Sequence, residues 1–135
     1  MQELSQGRKM TRLQPRHYAL IVLVIATAFL HFAAALDRVL FPDGPDPLFL
    51  LNGLGYLGLL GAYFLPIPFF QARHRLVWWA LVIYVIVTIL AWLAIWVGIN
   101  VIANHVPFFS RDSVYGVPAK LMELALLYVL RRDRP

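Results

Sequence analysis

Residues 18–36 read YALIVLVIATAFLHFAAAL, nineteen residues without a carboxylate, lysine or arginine. Coiled at 1.5 Å per residue, this run extends roughly 28 Å, close to the thickness of a bilayer's hydrocarbon core. Its flanks differ in charge. Before it stand Arg8, Lys9, Arg12 and Arg16; after it, over residues 37–47, come Asp37, Asp43 and Asp46 with Arg38. Three more apolar stretches follow, at about 48–65, 76–102 and 114–130, and the alternation continues around them. Arg73 and Arg75 follow the second, Arg111 beside Asp112 follows the third, and Arg131, Arg132 and Arg134 follow the fourth. Nine Lys and Arg thus fall on one side and two on the other, while Lys120 lies inside the fourth stretch. Cytoplasmic segments retain Lys and Arg, so the pattern predicts an all-α integral membrane four-helix bundle with both termini cytoplasmic. On this reading residues 1–17 and 131–135 are basic cytoplasmic tails, and 18–130 form a multi-pass domain in the cell's inner, cytoplasmic membrane.

Composition agrees. With 61% hydrophobic and 14% charged residues the chain is outside the range of soluble domains. Lipid-exposed backbone must be helical or in a closed barrel, and no stretch alternates with period two over ten residues. A net charge of +5 would suggest nucleic acid in a soluble protein. Here the topology rule and the anionic inner leaflet explain it, so the partner is the lipid bilayer and no nucleic acid is expected. The absence of cysteine excludes disulfides and thiolate metal sites. A signal peptide is the rival reading of the first stretch, with Ala33, Ala34 and Ala35 as a cleavage site. Cleavage would leave an odd number of spans and deprive the C-terminal arginines of their partner tail.

The connections read as turns and membrane-boundary anchors. Pro42, Pro45 and Pro47 bracket Asp43-Gly44 in the first, whose carboxylate spacing matches no calcium loop. The second ends in Phe69 and Phe70 followed by Arg73, His74 and Arg75, aromatics at the boundary and cations at the headgroups. The third mirrors it with Phe108 and Phe109. The start of the fourth span lies between Ser113 and Pro118, favoured near Val117 because proline is tolerated in a first turn.

Two helix faces are predicted to make contacts. In the second span Gly55, Gly58 and Ala62 share a face, and small residues let membrane helices approach closely, within the bundle or across an interface with another membrane subunit or a second copy. In the third, Tyr84, Thr88, Trp92, Trp96, Asn100 and Asn104 recur at every fourth position, a ridge that drifts by about 40° per step around an α-helix.

Ionisable groups within a membrane span are costly, and there are three: His31, Lys120 and Glu123. With Asn52 and Asn100 they give every span a polar group in the outer half of the bundle, while the inner half offers little beyond Thr88. The expectation is an outward-facing polar site in which His31 and Glu123 approach, ringed by Asn52, Tyr56, Asn100 and Lys120. Lys120 precedes Glu123 by three residues, the poorer order for an isolated pair, so Glu123 is expected to look across the bundle to His31 or Arg38 while Lys120 snorkels to the outer headgroups. A register-fixing polar cluster without a ligand is the plainer alternative.

No catalytic or nucleotide-binding motif is present: there is no G-x-S-x-G, H-E-x-x-H or P-loop. Ser110, Ser113, His105 and Asp112 are loop composition and not a triad. No enzyme activity, cofactor or metal is expected. The run PLFLLNGLGYLGLL at 47–60, followed by Leu65-Pro66, a short basic loop and a Trp-rich span, resembles small prokaryotic four-span proteins of uncharacterised function and is similar in size and span count to DoxX-like proteins. The resemblance covers about residues 17–132 and transfers no catalytic residue. The chain is read as a binding or accessory subunit. A small oligomeric proton-coupled transporter is the alternative, or a protein binding a haem- or quinone-type cofactor, for which His31 and His105 are the outer-side histidines.

Overall fold

In the computed structural model residues 13–39, 46–105, 107–108 and 113–135 are described, with the side chains of residues 38 and 39 excepted. The described residues are helical and contain no strand. The helices are α1 (Pro15–Val39), α2 (Pro47–Phe64), α3 (Pro68–Gln71), α4 (His74–Ala103) and α5 (Ser113–Arg132). All but α3 are long and apolar enough to cross a bilayer. The reading of the Pro42–Pro47 turn, the basic residues before Arg16, and Phe109, Ser110, Arg111 and Asp112 lie outside the described residues.

Local chemistry sets the boundaries. The Asp46 carboxylate accepts from the Leu48 N–H at 2.9 Å and Pro47 occupies the first turn, so α2 starts with one orphan donor capped and another absent. Its end is set by Leu65, which is extended before Pro66. The fourth span begins at Ser113, the early edge of the expected interval, so Pro118 sits inside the helix and not in a first turn near Val117. The start of α5 approaches α4 closely: a Cβ at Gly116 would lie 2.6 Å from Trp92 Nε1.

The outer third of α4, Leu93–Ala103, is wound as a π-helix and closes with Asn104 N donating to Ile99 O at 3.0 Å, five residues back. The winding corrects the expected drift of the aromatic ridge. Where a step of four overshoots a turn in an α-helix, it falls short in a π-helix, so the drift reverses at Leu93. Thr88, Trp92, Trp96 and Asn100 therefore line the same interior space.

The four long helices form a ring in the order α1, α2, α4, α5, with α1 and α4 on opposite corners. Helix α1 packs extensively against α2 and α5, whereas α4 touches the same two more sparingly and its π-helical end has no close helix neighbour other than α4 itself among the described residues. The end holding both termini is filled: Leu20, Val24, Leu81, Val85, Leu126 and Leu130 are fully buried. Val22, Phe29, Leu54, Ile83, Leu90 and Leu121 face outward, as membrane spans require. At the opposite end the loose packing of α4 leaves a cavity.

The start of α1 and the residues just past α5 meet at the filled end. Asp133, just past α5, is only 8% exposed. It accepts from the Tyr63 hydroxyl at 2.5 Å and pairs with Arg16 Nε at 2.8 Å, with His17 Nε2 3.2 Å away. Trp78 Nε1 donates to Leu130 O at 3.1 Å beside it. The expected basic tail at 131–135 thus contains a carboxylate that docks on the helix ends. A carboxylate in a basic tail finds cations and a hydroxyl at a helix junction, which spacing within one helix does not reveal.

Candidate functional site

The cavity has a volume of about 580 Å³ and is bounded by α1, α2, the outer half of α4 and the start of α5. Its walls are largely apolar and aromatic, with Leu30, Phe49, Val87, Trp92, Ile95 and Trp96 prominent. Polar groups collect at its two ends. Asp46, Asn100 and Tyr115 come from the helix ends remote from the Asp133 cluster, whereas His31, Thr88 and Lys120 lie deeper. With α5 starting at Ser113, Lys120 and Glu123 sit roughly 10 and 15 Å along it, deeper than a start at Val117 implies.

The floor is an ion pair. Lys120 Nζ donates to Glu123 Oε2 at 2.6 Å and to the Thr88 carbonyl at 3.2 Å, with the lysine side chain 11% and the glutamate 0% exposed. Lys120 therefore does not snorkel to the headgroups. In an apolar interior an unpaired ammonium and an unpaired carboxylate cost more than the imperfect spacing of three residues, so the two partner each other. Glu123 also faces across the bundle: its Oε1 is 3.6 Å from His31 Nε2. That separation exceeds a hydrogen bond, and both atoms are buried without a partner. The expected approach of His31 and Glu123 thus takes the form of proximity through one carboxylate oxygen, while the other holds Lys120. The Arg38 side chain is outside the described residues.

Around this floor, His31 is held edge-on between Phe49 and Tyr56, with ring centroids 6.1 and 5.8 Å away. The Thr88 hydroxyl donates to Val85 O at 2.8 Å, so its oxygen accepts from the Tyr56 hydroxyl, also at 2.8 Å. Tyr84 donates to the Asn52 carbonyl at 3.1 Å and packs edge-on against Tyr56. Asn52 itself lines the cavity. Asn100 stands at the outer end, its amide turned back to Ile95 O at 3.1 Å. His31, Asn52, Asn100 and Lys120 share the cavity wall, Tyr56 and Glu123 support it from behind, and His105 is exposed beyond the end of α4. No group of three or more metal-ligating side chains occurs among the described residues.

The contact faces divide. Trp92 and Trp96 line the cavity, and Trp96 is 8% exposed with its indole N–H unpartnered. Gly55 lies against the Tyr84 hydroxyl, so it packs within the bundle, and Ala62 is half-buried against the core. Gly58 faces outward with nothing within 4 Å of where a Cβ would stand. Sequence reading passed over Phe49, the Trp96 indole as a donor, and Gly53, where a Cβ would meet the Phe32 ring at 2.7 Å. The first two carry no spacing signal; a glycine nearly two turns into α2 was the signal for the third.

Compared with known proteins, the chain matches no family model, and neither a curated protein nor a solved structure matches it.

Proposed function

We propose that this is a small integral membrane protein of the inner membrane, with both termini cytoplasmic, that acts as a binding or accessory subunit and holds a small ligand in a pocket opening on the outer side. The observation that carries this reading is the cavity of about 580 Å³ with a buried Lys120–Glu123–His31 floor. Its size is within the range of small-molecule sites, and its apolar walls with few converging polar groups are their usual make-up. A purely structural cluster is the less economical account, because it leaves His31 Nε2, Glu123 Oε1 and Trp96 Nε1 buried without partners beside an unfilled space. The orientation rests on the nine-to-two division of Lys and Arg.

The packed layer of Leu20, Val24, Leu81, Val85, Leu126 and Leu130 favours binding over proton-coupled transport, because it puts no ionisable group between the floor and the Asp133 cluster, and the one buried hydroxyl there, Thr27, is committed to Leu23 O. No autonomous enzyme activity is part of the proposal. Partner subunits or a second copy are assigned to the outward Gly58 side of α2. Native mass spectrometry of the full chain purified in mild detergent tests the reading. A co-purifying small molecule that Lys120→Met releases, or a foreign subunit that Gly58→Leu releases, is the expected result. A lone chain that carries a solute across vesicle membranes overturns it.

A further inference from the structure

The charges around the cavity restrict what it can hold, and we infer, resting on the binding reading above, that its ligand is a neutral, flat, lipid-soluble carbonyl compound whose oxygen accepts from the Trp96 indole N–H. Trp96 lines the cavity, its Nε1 is buried, and it has no partner. An indole N–H can only donate, so the group that completes it must be an acceptor.

Lys120 is the second donor. Its ammonium has three N–H groups, and Glu123 and the Thr88 carbonyl take two of them. The remaining one belongs to a side chain that lines the same cavity. Both donors are on the wall, as is the unpartnered His31 Nε2, which donates or accepts according to its tautomer, whereas Glu123 Oε1 belongs to a residue that does not line the cavity.

Net charge selects among acceptors. The Lys120 ammonium is already neutralised at 2.6 Å by Glu123, so a cationic or an anionic ligand alike meets no free counter-charge in the floor. A neutral acceptor satisfies the donors without adding an uncompensated charge to a low-dielectric site. The walls supply the flatness: Phe49, Trp92 and Trp96 are aromatic, and rings stack or pack edge-on against planar faces.

The test uses the full chain in lipid nanodiscs and compares three probes of one shape: 9-fluorenone, which carries the carbonyl, fluorene, which lacks it, and fluorene-9-carboxylate, which is charged. Each is measured as retention in excess of empty nanodiscs. Fluorenone is expected to be retained best, and Trp96→Phe, which keeps a ring and deletes the N–H, is expected to lower its affinity roughly tenfold and to lower that of fluorene much less. The comparison of fluorenone with fluorene on the unaltered chain decides the matter even if Trp96→Phe folds poorly. Equal retention of fluorene, indifference of a folded Trp96→Phe chain, or strongest retention of the carboxylate overturns this inference and leaves a ligand-binding cavity standing. Retention of none of the three overturns both.

Discussion

His31 Nε2 stands 3.6 Å from Glu123 Oε1, on a helix facing the one that carries the glutamate, and neither atom is hydrogen-bonded. The glutamate is therefore shared unequally: one oxygen is committed to Lys120 and the other is only close to the imidazole.

This inequality reverses the ordinary expectation for a conservative change at Glu123. Were the residue simply a buried carboxylate, Glu123→Gln would be benign. Here it leaves the Lys120 ammonium buried with no counter-charge, and losing one partner of a buried pair costs about 3–5 kcal/mol. Unfolding in mixed detergent should show Glu123→Gln strongly destabilised, and Lys120→Met combined with Glu123→Gln recovering most of the loss. Additive effects in the double-mutant cycle would show that the pair is not coupled.

Two glycines a turn apart on α2 should respond in opposite ways. A side chain at Gly55 runs into Tyr84, so Gly55→Leu should cost about 1–3 kcal/mol through overpacking and disturb the Tyr84–Asn52 hydrogen bond. Gly58 has open space beside it, so Gly58→Leu should leave unfolding unchanged. The same chemical change giving equal losses at the two sites contradicts the assigned orientation of α2.

The last residues of the chain should contribute to stability. Asp133 joins Arg16 and His17 of α1 to Tyr63 of α2, so Asp133→Ala should cost about 1–3 kcal/mol by leaving the buried Tyr63 hydroxyl unpaired. Tyr63→Phe in that background should restore part of it. Unchanged unfolding of a chain truncated after Arg132 contradicts this.

Orientation is open to a direct measurement. A phosphatase fused to the C-terminus should be inactive in cells and a fluorescent protein fused there bright. Phosphatase activity with no fluorescence would place the termini outside.

Hydropathy and charge made the helices legible, because lipid penalises charge and unpaired backbone at every position along a span. The helix ends fall within a few residues of the hydropathy limits, and α5 begins at Ser113, the early edge of the expected interval, with Pro118 inside it where the local signal favoured a first turn. The depth of His31, Lys120 and Glu123 was also readable, since depth is a matter of counting residues. Which of them would pair was not: Lys120 is turned inward to Glu123 on its own helix and to the Thr88 carbonyl, and the second of these belongs to the facing helix. The π-helical end of α4 escaped notice for a similar reason. Its sequence, LAIWVGINVIA, is as apolar as an ordinary span and gives no sign of its winding.

The packed aliphatic layer at the terminal end has an electrical consequence. A membrane potential falls mostly across its driest, least polarisable thickness, and moving one charge through 100 mV is worth about 2.3 kcal/mol. In this bundle that thickness is the layer of Leu20, Val24, Leu81, Val85, Leu126 and Leu130, while the cavity and its floor lie on the other side of it. The Lys120–Glu123 pair, neutralised at 2.6 Å, adds no net charge to that field. Occupancy of the proposed site by an uncharged guest should be the same in an energised membrane as in a resting one.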